Sequence, residues 1–258
     1  MEPQFYKGNR DPFMEKLAPG SLALFFSGVP VRKTADEDYA YFANRNFVYL
    51  TGMEQKDTIL MLEKDASGYR ETLFILPPNL IEERWTGARM KPEEIEAASM
   101  ISNFAYRDTF EEELKKVLAS GRIEKVYLDI DRMDGQVVVS GADSMETFLK
   151  QEYPNLLIEN SLPILKKLRL IKKPCEIRAM EKAQEITKAG ILAMMTHSKP
   201  GMYEYQYKAE YDYALAQHGV LEAGFPSIIS AGKNNFCIHY YGYRGQAMDG
   251  EIGRARVG

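Results

Sequence analysis

The sequence is short of several residue types and motifs, and each shortage excludes a class of protein. Its two cysteines, Cys175 and Cys237, lie far apart and form no CxxC pair, so neither a disulfide framework nor a zinc finger is expected. The most apolar early run, residues 22–31, contains Ser, Gly and Pro and is much shorter than the roughly 20 residues that cross a bilayer. The amino terminus also lacks the basic start and apolar centre of a signal peptide. We therefore predict a protein of the reducing cytoplasm, with no membrane span.

Phosphate-binding and hydrolase motifs are also lacking. There is no GxGxxG or GxxxxGK[ST] loop for a nucleotide, no GxSxG elbow, and no HExxH or EF-hand spacing for a metal. With 33 basic and 37 acidic residues, the net charge is −4, which argues against a dedicated nucleic-acid binder because such proteins need a basic patch. What remains is an ordinary globular composition, 45% hydrophobic and 27% charged, in a chain long enough for two domains.

The first part of the chain alternates short apolar runs with helical stretches. Four runs rich in β-branched and aromatic residues predict strands at 22–26, 58–62, 71–76 and 126–130. Pro92 suits the first turn of a helix, and Thr109 followed by Glu112 has the spacing of a capping box, so helices are predicted at 92–97 and 109–118. Strands alternating with helices indicate a layered α/β domain.

A basic stretch, residues 163–174, ends in proline and marks a boundary between residues 1–170 and 171–258. After it, apolar residues recur every three or four positions from 177 to 194, which predicts an amphipathic helix with one buried stripe. A second helix is predicted at 203–217. Strands are predicted at 225–230 and 236–240, with a loop or hairpin connection between them. This second region of about 85 residues is small for a domain that stands alone.

Histidine is scarce, and its three positions differ in what they predict. His197 and His218 follow or end helices, where a polar ring or cation suits the helix C-terminus, so both are interpreted as structural. His239 lies in a β-rich run before an aromatic cluster, and it is either a functional group or a half-buried structural histidine. Cys237 would share a strand face with His239, either as an activated thiol or as a buried structural cysteine.

Acidic groups and the single tryptophan leave further alternatives. Asp129, Asp131 and Asp134 have no histidine nearby and are interpreted as a solvated turn. The glutamates at 82–83 and 93–96 are interpreted as solvated helix faces. Trp85, between charged residues, is either part of an interface or ligand wall, or a ring that covers the core of its own domain.

Four segments in order resemble the Xaa-Pro aminopeptidases, also called aminopeptidase P, which are metallopeptidases of the pita-bread fold. Residues 38–52, ending in NFVYLTG, resemble the family's amino-domain signature, and Trp85 opens a W-x-G-x-R segment. Residues 172–183 resemble the helix that opens the catalytic domain. The fourth match joins residues 200–204, 225–235 and 238–240 to the family pattern "P-G-m-x-E … P-S-I-v-a-s-G-x-n … H-Y".

The resemblance implies an α/β fold with a ribonuclease-H-like three-layer amino domain, followed by an α+β pita-bread catalytic domain that is incomplete here. It also implies two divalent cations, commonly manganese, held by two aspartates, a histidine and two glutamates, which activate a water against the peptide bond before proline. His239 matches the family histidine that contacts substrate without ligating metal. Trp85 and Tyr240 are expected to contact substrate or a neighbouring subunit, and a homo-oligomer through the amino domain is expected.

The sequence departs from the family pattern near residue 258. Where the family reads "D-G-d-l-v-l-x-D-x-G", residues 249–258 read DGEIGRARVG, and Arg256 occupies the position of the first metal ligand, 17 residues after His239. A guanidinium has no lone pair for a cation. The change suggests a frame shift or a truncated reading frame, with loss of the apolar strand and of every metal ligand.

Two functions follow as expectations. The first is an Xaa-Pro aminopeptidase, or an Xaa-Pro dipeptidase of similar sequence, that acts on peptides with proline in second position but is inactive as this chain. The second is a non-catalytic assembly module derived from that family. An incomplete catalytic domain is also expected to expose apolar surface around Ile228, Ile229 and Ile238.

Overall fold

A computed structural model of the chain describes residues 1–132 and 139–258. It divides into two compact units, Met1–Ile171 and Lys172–Gly258. The α-helices are α1 (Pro3–Glu15), α2 (Arg45–Thr51), α3 (Leu80–Thr86), α4 (Pro92–Ser99), α5 (Phe110–Ala119), α6 (Gly141–Glu152), α7 (Leu162–Leu170), α8 (Pro174–His197) and α9 (Glu204–Gln217). Short 3₁₀ turns span Arg107–Thr109 and Gly232–Phe236.

The strands of the first unit form a six-stranded mixed sheet in the order β6-β5-β4-β1-β7-β8 and a small separate ribbon of β2 and β3. The second unit holds two two-stranded sheets, β10 with β12 and β9 with β11. The strands are β1 (Ser21–Phe26), β2 (Arg32–Thr34), β3 (Glu37–Asp38), β4 (Ile59–Lys64), β5 (Tyr69–Ile75), β6 (Phe104–Tyr106), β7 (Lys125–Leu128), β8 (Leu157–Asn160), β9 (Met202–Tyr203), β10 (Ile228–Ala231), β11 (Gln246–Ala247) and β12 (Gly253–Arg256).

The large sheet is buried on both faces, which explains why its central strands are apolar at consecutive positions. Leu22 and Leu24 point into a core shared with α5 and α6, whereas Ala23 and Phe25 point into a core shared with α1, α2, α4 and α7. Adjacent strand residues face opposite sides of a sheet, so two helix layers are needed to cover them. The predicted three-layer α/β arrangement is therefore confirmed, and the four predicted strands correspond to β1, β4, β5 and β7.

The capping box predicted at the start of α5 is wrong. Thr109 makes no side-chain cap to this helix, and its hydroxyl instead donates to the carbonyl of Tyr106, 2.8 Å away. The reason is local: the chain enters α5 through a 3₁₀ turn, so Thr109 already has helical backbone angles and cannot adopt the extended cap conformation. Pro92 does occupy the first turn of α4, as predicted.

Asp129 was predicted to lie in a solvated turn, and this is wrong. Its carboxylate follows β7, is 7% exposed, and accepts from Nδ2 of Asn46 at 2.9 Å. Burial raises the pKa of Asp129 above its ordinary value despite this hydrogen bond. Asp131 is exposed, while Asp134 lies outside the described residues. A sequence pattern could not place Asn46, 83 positions away, beside this strand end.

The buried stripe predicted along α8 covers only part of that helix. Gly190 and Met194 are buried in the second half, but Ile177 and Met180 are about half exposed and Ala183 is exposed. The reason is length: α8 has 24 residues and its partner α9 has 14, so α9 reaches only roughly 21 Å along a helix of roughly 36 Å. Gly190 allows this contact, because a Cβ there would lie 2.5 Å from the ring of Tyr211.

Candidate active site

The polar centre of the second unit is Glu204, the first residue of α9, whose side chain is fully buried. One carboxylate oxygen accepts from the backbone N–H of Ala231 at 2.8 Å and from Nδ2 of Asn234 at 2.9 Å. The other accepts from the N–H of Gly245 at 2.8 Å. Gly245 must be glycine for this approach, since a Cβ there would come within 2.7 Å of the carboxylate. Glu204 thus joins α9, the end of β10 and the segment before β11.

Four neutral donors, rather than a cation, stabilise this carboxylate. Burial by itself raises the pKa of Glu204, but hydrogen bonds from Asn234, from two backbone N–H groups and from the Tyr240 hydroxyl outweigh it. The net pKa therefore lies below the ordinary value, and Glu204 is charged near neutral pH. Burial, and the neighbouring carboxylate, raise the pKa of Tyr240, which stays a protonated donor.

The segment that carries His239 is not a strand, so the prediction for residues 236–240 is wrong. A 3₁₀ turn spans Gly232–Phe236, because Asn234 and Asn235 use their side-chain amides to bond Glu204 and the carbonyl of Ile252. The strand predicted at 225–230 is observed as β10, Ile228–Ala231.

His239 is exposed and its ring stacks on Tyr241, with centroids 6.4 Å apart and 18° between the planes. This contradicts the alternative of a half-buried histidine. Cys237 is a free, exposed thiol, so it is not a buried structural cysteine, and no shared strand face joins it to His239. Tyr240 is half-buried, and its hydroxyl accepts from Asn234 at 3.0 Å. The exposed imidazole of His239 can donate a hydrogen bond to a peptide carbonyl, whereas the Tyr240 hydroxyl is directed at Glu204.

Residues 253–256 form a strand, although the sequence predicted that the strand had been lost. β12 pairs antiparallel with β10, with Arg256 opposite Ile228 and Gly253 opposite Ala231. This pairing and the packing of α8 and α9 bury Ile228 and Ile229, which are 2% and 4% exposed, so the predicted exposure of these two residues is wrong. Ile238 is 71% exposed, as predicted.

Beside β12 lies an apolar cleft of about 420 Å³ within the second unit. Its floor and walls are the side chains of Ile191, Met194, Met195 and Met248, with Glu204 at one side. Arg256 is exposed, and its guanidinium lies 5.7 Å from the ring centroid of Phe225. The cleft is thus a mainly apolar groove that lies beside the arginine-bearing strand β12.

Trp85, His197 and His218, which the sequence analysis also considered, do not line this cleft. Trp85 ends the short helix α3 of the first unit and is 85% exposed, so it does not cover the core of its own domain. His197 ends α8 with Nδ1 2.6 Å from Glu210, and His218 caps the C-terminus of α9. The structure brings Tyr240 together with Glu204 but places Trp85 in the other unit.

Comparison with known proteins identifies the family. The model "Aminopeptidase P, N-terminal domain" matches residues 6–127, and "Metallopeptidase family M24" matches residues 178–254. The Xaa-Pro aminopeptidase of Escherichia coli K12 is 26% identical over 254 residues, covering 96% of this chain and 57% of its own. A solved aminopeptidase P from Bacillus anthracis superposes with a TM-score of 0.96 at 29% identity, over 100% of this chain and 61% of that one. The chain belongs to the aminopeptidase P family.

A second solved relative is the zinc-substituted E. coli aminopeptidase P in complex with product, at 25% identity and a TM-score of 0.86. This chain spans 59% of it. As in aminopeptidase P, an amino-terminal domain is followed by residues of the pita-bread catalytic domain. Within the described residues, no helix is long and apolar enough to cross a membrane.

The family is one of metallopeptidases, but the residues that the structure describes do not fit a dinuclear metal centre. Glu204, the buried carboxylate beside the cleft, already has both oxygens occupied by N–H donors. Arg256, which the resemblance predicts at the position of an aspartate ligand, carries a guanidinium that has no lone pair for a cation. Residues 1–132 and 139–258 contain no group of three or more His, Cys, Asp or Glu side chains that could hold a metal ion.

Glu204 is the residue that the sequence interpretation missed. It stands at the end of the quoted aminopeptidase P segment 200–204 but was given no role, because a single glutamate at a helix start is usually a solvated first-turn residue. A signal was available: the glycine- and asparagine-rich segments that follow it supply small residues and amide donors. Their convergence on one carboxylate requires tertiary structure.

Proposed function

We propose that the chain comprises the amino-terminal domain, residues 1–170, and the opening part of the catalytic domain, residues 171–258, of an Xaa-Pro aminopeptidase, and that it does not hydrolyse peptides by itself. The names of the relatives support the ancestral activity, release of an amino-terminal residue before proline. Because the chain spans about half to three fifths of the relatives it matches, their whole activity does not transfer directly.

The observation that carries this proposal is the donor set around β12. A metal-activated water needs several anionic ligands around two cations, and the strand instead presents Arg254 and Arg256. Manganese, the cation expected for the family, would therefore find no carboxylate cage here. The exposed imidazole of His239 keeps a hydrogen-bonding group for a substrate carbonyl, so peptide contact would be retained without the hydrolytic machinery. The relatives' names favour an aminopeptidase over a dipeptidase.

We expect purified chain supplied with manganese to release no amino acid from a peptide with proline in second position. Equilibrium dialysis with manganese should likewise show no pair of tightly held ions. The E. coli aminopeptidase, assayed in parallel with the same peptide, is the positive control. Turnover at a rate near that of the control, or two manganese ions retained per chain, would contradict the proposal.

A second function, assembly without catalysis, is favoured by helix α3. Leu80, Ile81 and Trp85 are 79%, 73% and 85% exposed, an unusual concentration of large apolar side chains on a seven-residue helix. Exposed apolar patches with an aromatic residue are typical of protein interfaces. The chain would then form a homo-oligomer, or join a full-length relative, through its amino-terminal domain.

For this second function we expect light scattering to show a concentration-dependent oligomer. The substitution Trp85→Ala should weaken association by about tenfold or more, since buried tryptophans often dominate interface energetics. Phe42→Ala is the matched control, because Phe42 is another exposed aromatic of the same unit, at 72%. A strict monomer at every concentration, alone and mixed with a full-length relative, would exclude the assembly function.

A further inference from the structure

A crevice opens at one edge of the large sheet of the first unit. β1, β5, β6, β7 and β8 run in the same direction and β4 alone runs against them, so five strands have their carboxyl ends at this edge. The next helix after β1 is α2, on one face of the sheet, whereas the next helix after the neighbouring β7 is α6, on the other face. In open α/β sheets, ligands bind outside the carboxyl ends of strands whose connections diverge in this way. The crevice therefore has the position of a ligand site.

The crevice contains a cavity of about 450 Å³ between α5 and α6. Pockets that bind small molecules have volumes of roughly 300–1,000 Å³. The inner walls are apolar side chains from the strand ends and from both helices, namely Phe26, Ile59, Phe110, Leu114 and Phe148. The rings of Phe26 and Phe110 meet edge to face, with centroids 6.4 Å apart. The inner part of the cavity thus suits a branched or aromatic apolar group.

A fixed pair of opposite charges also lines this cavity. Nε of Arg107, the residue after β6, donates to Oδ1 of Asp57 at 3.0 Å. The backbone N–H of Asp57 donates to the carbonyl of Gly28 at 2.8 Å, and the Arg107 guanidinium lies 5.5 Å from the ring centroid of Phe110. The two side chains are 30% and 37% exposed, for Arg107 and Asp57 respectively. The pair is therefore held in place and remains accessible to a ligand.

Both members of the pair have hydrogen-bonding capacity left over. Within residues 1–132 and 139–258, the two terminal nitrogens of Arg107 and Oδ2 of Asp57 have no hydrogen-bond partner. A guanidinium carries five N–H donors and a carboxylate accepts through both oxygens. Arg107 can therefore bind a ligand carboxylate while Asp57 accepts from a ligand ammonium group. Glu111, an exposed residue of α5 in the same lining, offers the ammonium group a second acceptor.

These charges favour a ligand that carries both signs. An anion without an ammonium group would bind Arg107 but would lie beside the carboxylates of Asp57 and Glu111. A cation without a carboxylate would lie beside the guanidinium. In an α-amino acid the two charged groups are attached to one carbon, so they can bind two side chains that are themselves hydrogen-bonded to each other.

We propose that this cavity binds a free α-amino acid with a large apolar side chain. Its carboxylate would accept from Arg107, its ammonium group would donate to Asp57, and its side chain would lie between Phe26 and Phe110. The site belongs to the amino-terminal domain and does not depend on whether the second unit hydrolyses peptides. The inference and the proposed lack of activity therefore fail separately.

The test is calorimetric titration of the full chain with phenylalanine as the probe. Three further probes each lack one feature: phenethylamine has no carboxylate, phenylpropionate has no ammonium group, and glycine has no apolar side chain. We expect one phenylalanine to bind per chain. Each incomplete probe should bind about tenfold more weakly or less, because each loses a charge-assisted hydrogen bond or the apolar contact.

Two variants place the bound amino acid in this cavity. Ser144 is an exposed residue of α6 in the cavity lining, so Ser144→Trp should fill the cavity and abolish binding. Thr147→Trp, at an exposed position of α6 outside the lining, is the matched control and should leave binding unchanged. Arg107→Gln should weaken phenylalanine binding by about tenfold and leave phenethylamine binding no weaker. Arg122→Gln, at an exposed arginine outside the lining, should have no effect.

Three results would overturn the inference. The first is absence of phenylalanine binding. The second is equal binding of phenylalanine and either singly charged probe, which would show an apolar cleft that does not recognise the amino-acid charges. The third is equal binding by the Ser144→Trp and Thr147→Trp variants, which would place the ligand elsewhere. If Arg107→Gln shifts the unfolding transition, the comparison of probes and the tryptophan variants decide.

Discussion

Replacing Arg10 by methionine is expected to lower the free energy of unfolding of the first unit by about 3–5 kcal/mol, the cost of removing one partner of a buried ion pair. Arg10, on α1, has no exposed surface. Its guanidinium holds both carboxylate oxygens of Glu71, at 2.7 and 3.1 Å, and donates to the carbonyls of Leu50 and Ser99. The substitution leaves an uncompensated carboxylate and two carbonyls without their donor.

Two comparisons separate this effect from a general response of α1. Lys7→Met breaks the ion pair between Lys7 and Asp11, two side chains that are each about 40% exposed. It should lower the free energy of unfolding by no more than about 1 kcal/mol, because solvent screens the pair. The double substitution Arg10→Met with Glu71→Leu should cost less than Arg10→Met alone, since it replaces both charges by apolar groups. Urea unfolding, with hydrogen exchange of the Phe74 amide as a local probe, measures all three. Equal losses for Lys7→Met and Arg10→Met would contradict the prediction.

The second large effect is expected for Glu204→Gln in the second unit. A glutamine keeps the shape but turns an NH₂ group toward at least one of the three N–H donors, from Ala231, Asn234 and Gly245. A buried donor is left without an acceptor, and the charge-assisted bonds are lost, at an expected cost of about 2–4 kcal/mol. In a unit of this size such a loss is expected to populate the unfolded form visibly.

The direction in which stability changes with pH follows from the pKa shift of Glu204. The pKa of Glu204 is lower in the folded protein than in the unfolded chain, where it is about 4.3. Its stabilisation is therefore fully present above the unfolded pKa and is lost as pH falls through the folded pKa. We expect the stability difference between the natural chain and Glu204→Gln to be largest near neutral pH and to shrink in acid.

The control for this pair of measurements is Glu251→Gln. Glu251 is exposed, and its carboxylate accepts a hydrogen bond from the N–H of Met248 at 3.0 Å. The substitution Glu251→Gln should change the free energy of unfolding little, and the difference from the natural chain should not vary between neutral and acid pH. A gap between Glu204→Gln and the natural chain that stays constant from neutral pH to strong acid would show that the charge of Glu204 is not what stabilises the unit.

The first unit follows its sequence pattern closely. Its predicted strands and helices are present because both faces of the large sheet are covered, so apolar runs bounded by glycine and proline have only one compatible arrangement. The errors there concern single polar groups. Asp129 is buried because Asn46, distant in sequence, supplies its hydrogen-bond donor, and Thr109 fails as a cap because the preceding turn sets its backbone angles.

The second unit departs further from its pattern. The segment around His239 has the composition of a strand, but the amide side chains of the preceding turn hold it in another conformation. Ile228 and Ile229 were expected to be exposed, and they are buried because residues 253–256 still pair as a strand. Backbone hydrogen bonds do not depend on which side chains a strand carries, so arginines in place of apolar residues did not prevent the ladder.

The sequence by itself determined the layered α/β class of the first unit and the resemblance to the aminopeptidase P family, because periodicity and ordered motifs are properties of the linear chain. The resemblance also predicts that the guanidinium of Arg256 stands where the family has a metal ligand. Only the tertiary structure decided that Glu204 and Arg10 are buried polar centres and that residues 253–256 pair with β10 as a strand. Each of these depends on which groups from distant segments meet, and a hydrogen bond between such groups leaves no periodic trace in the sequence.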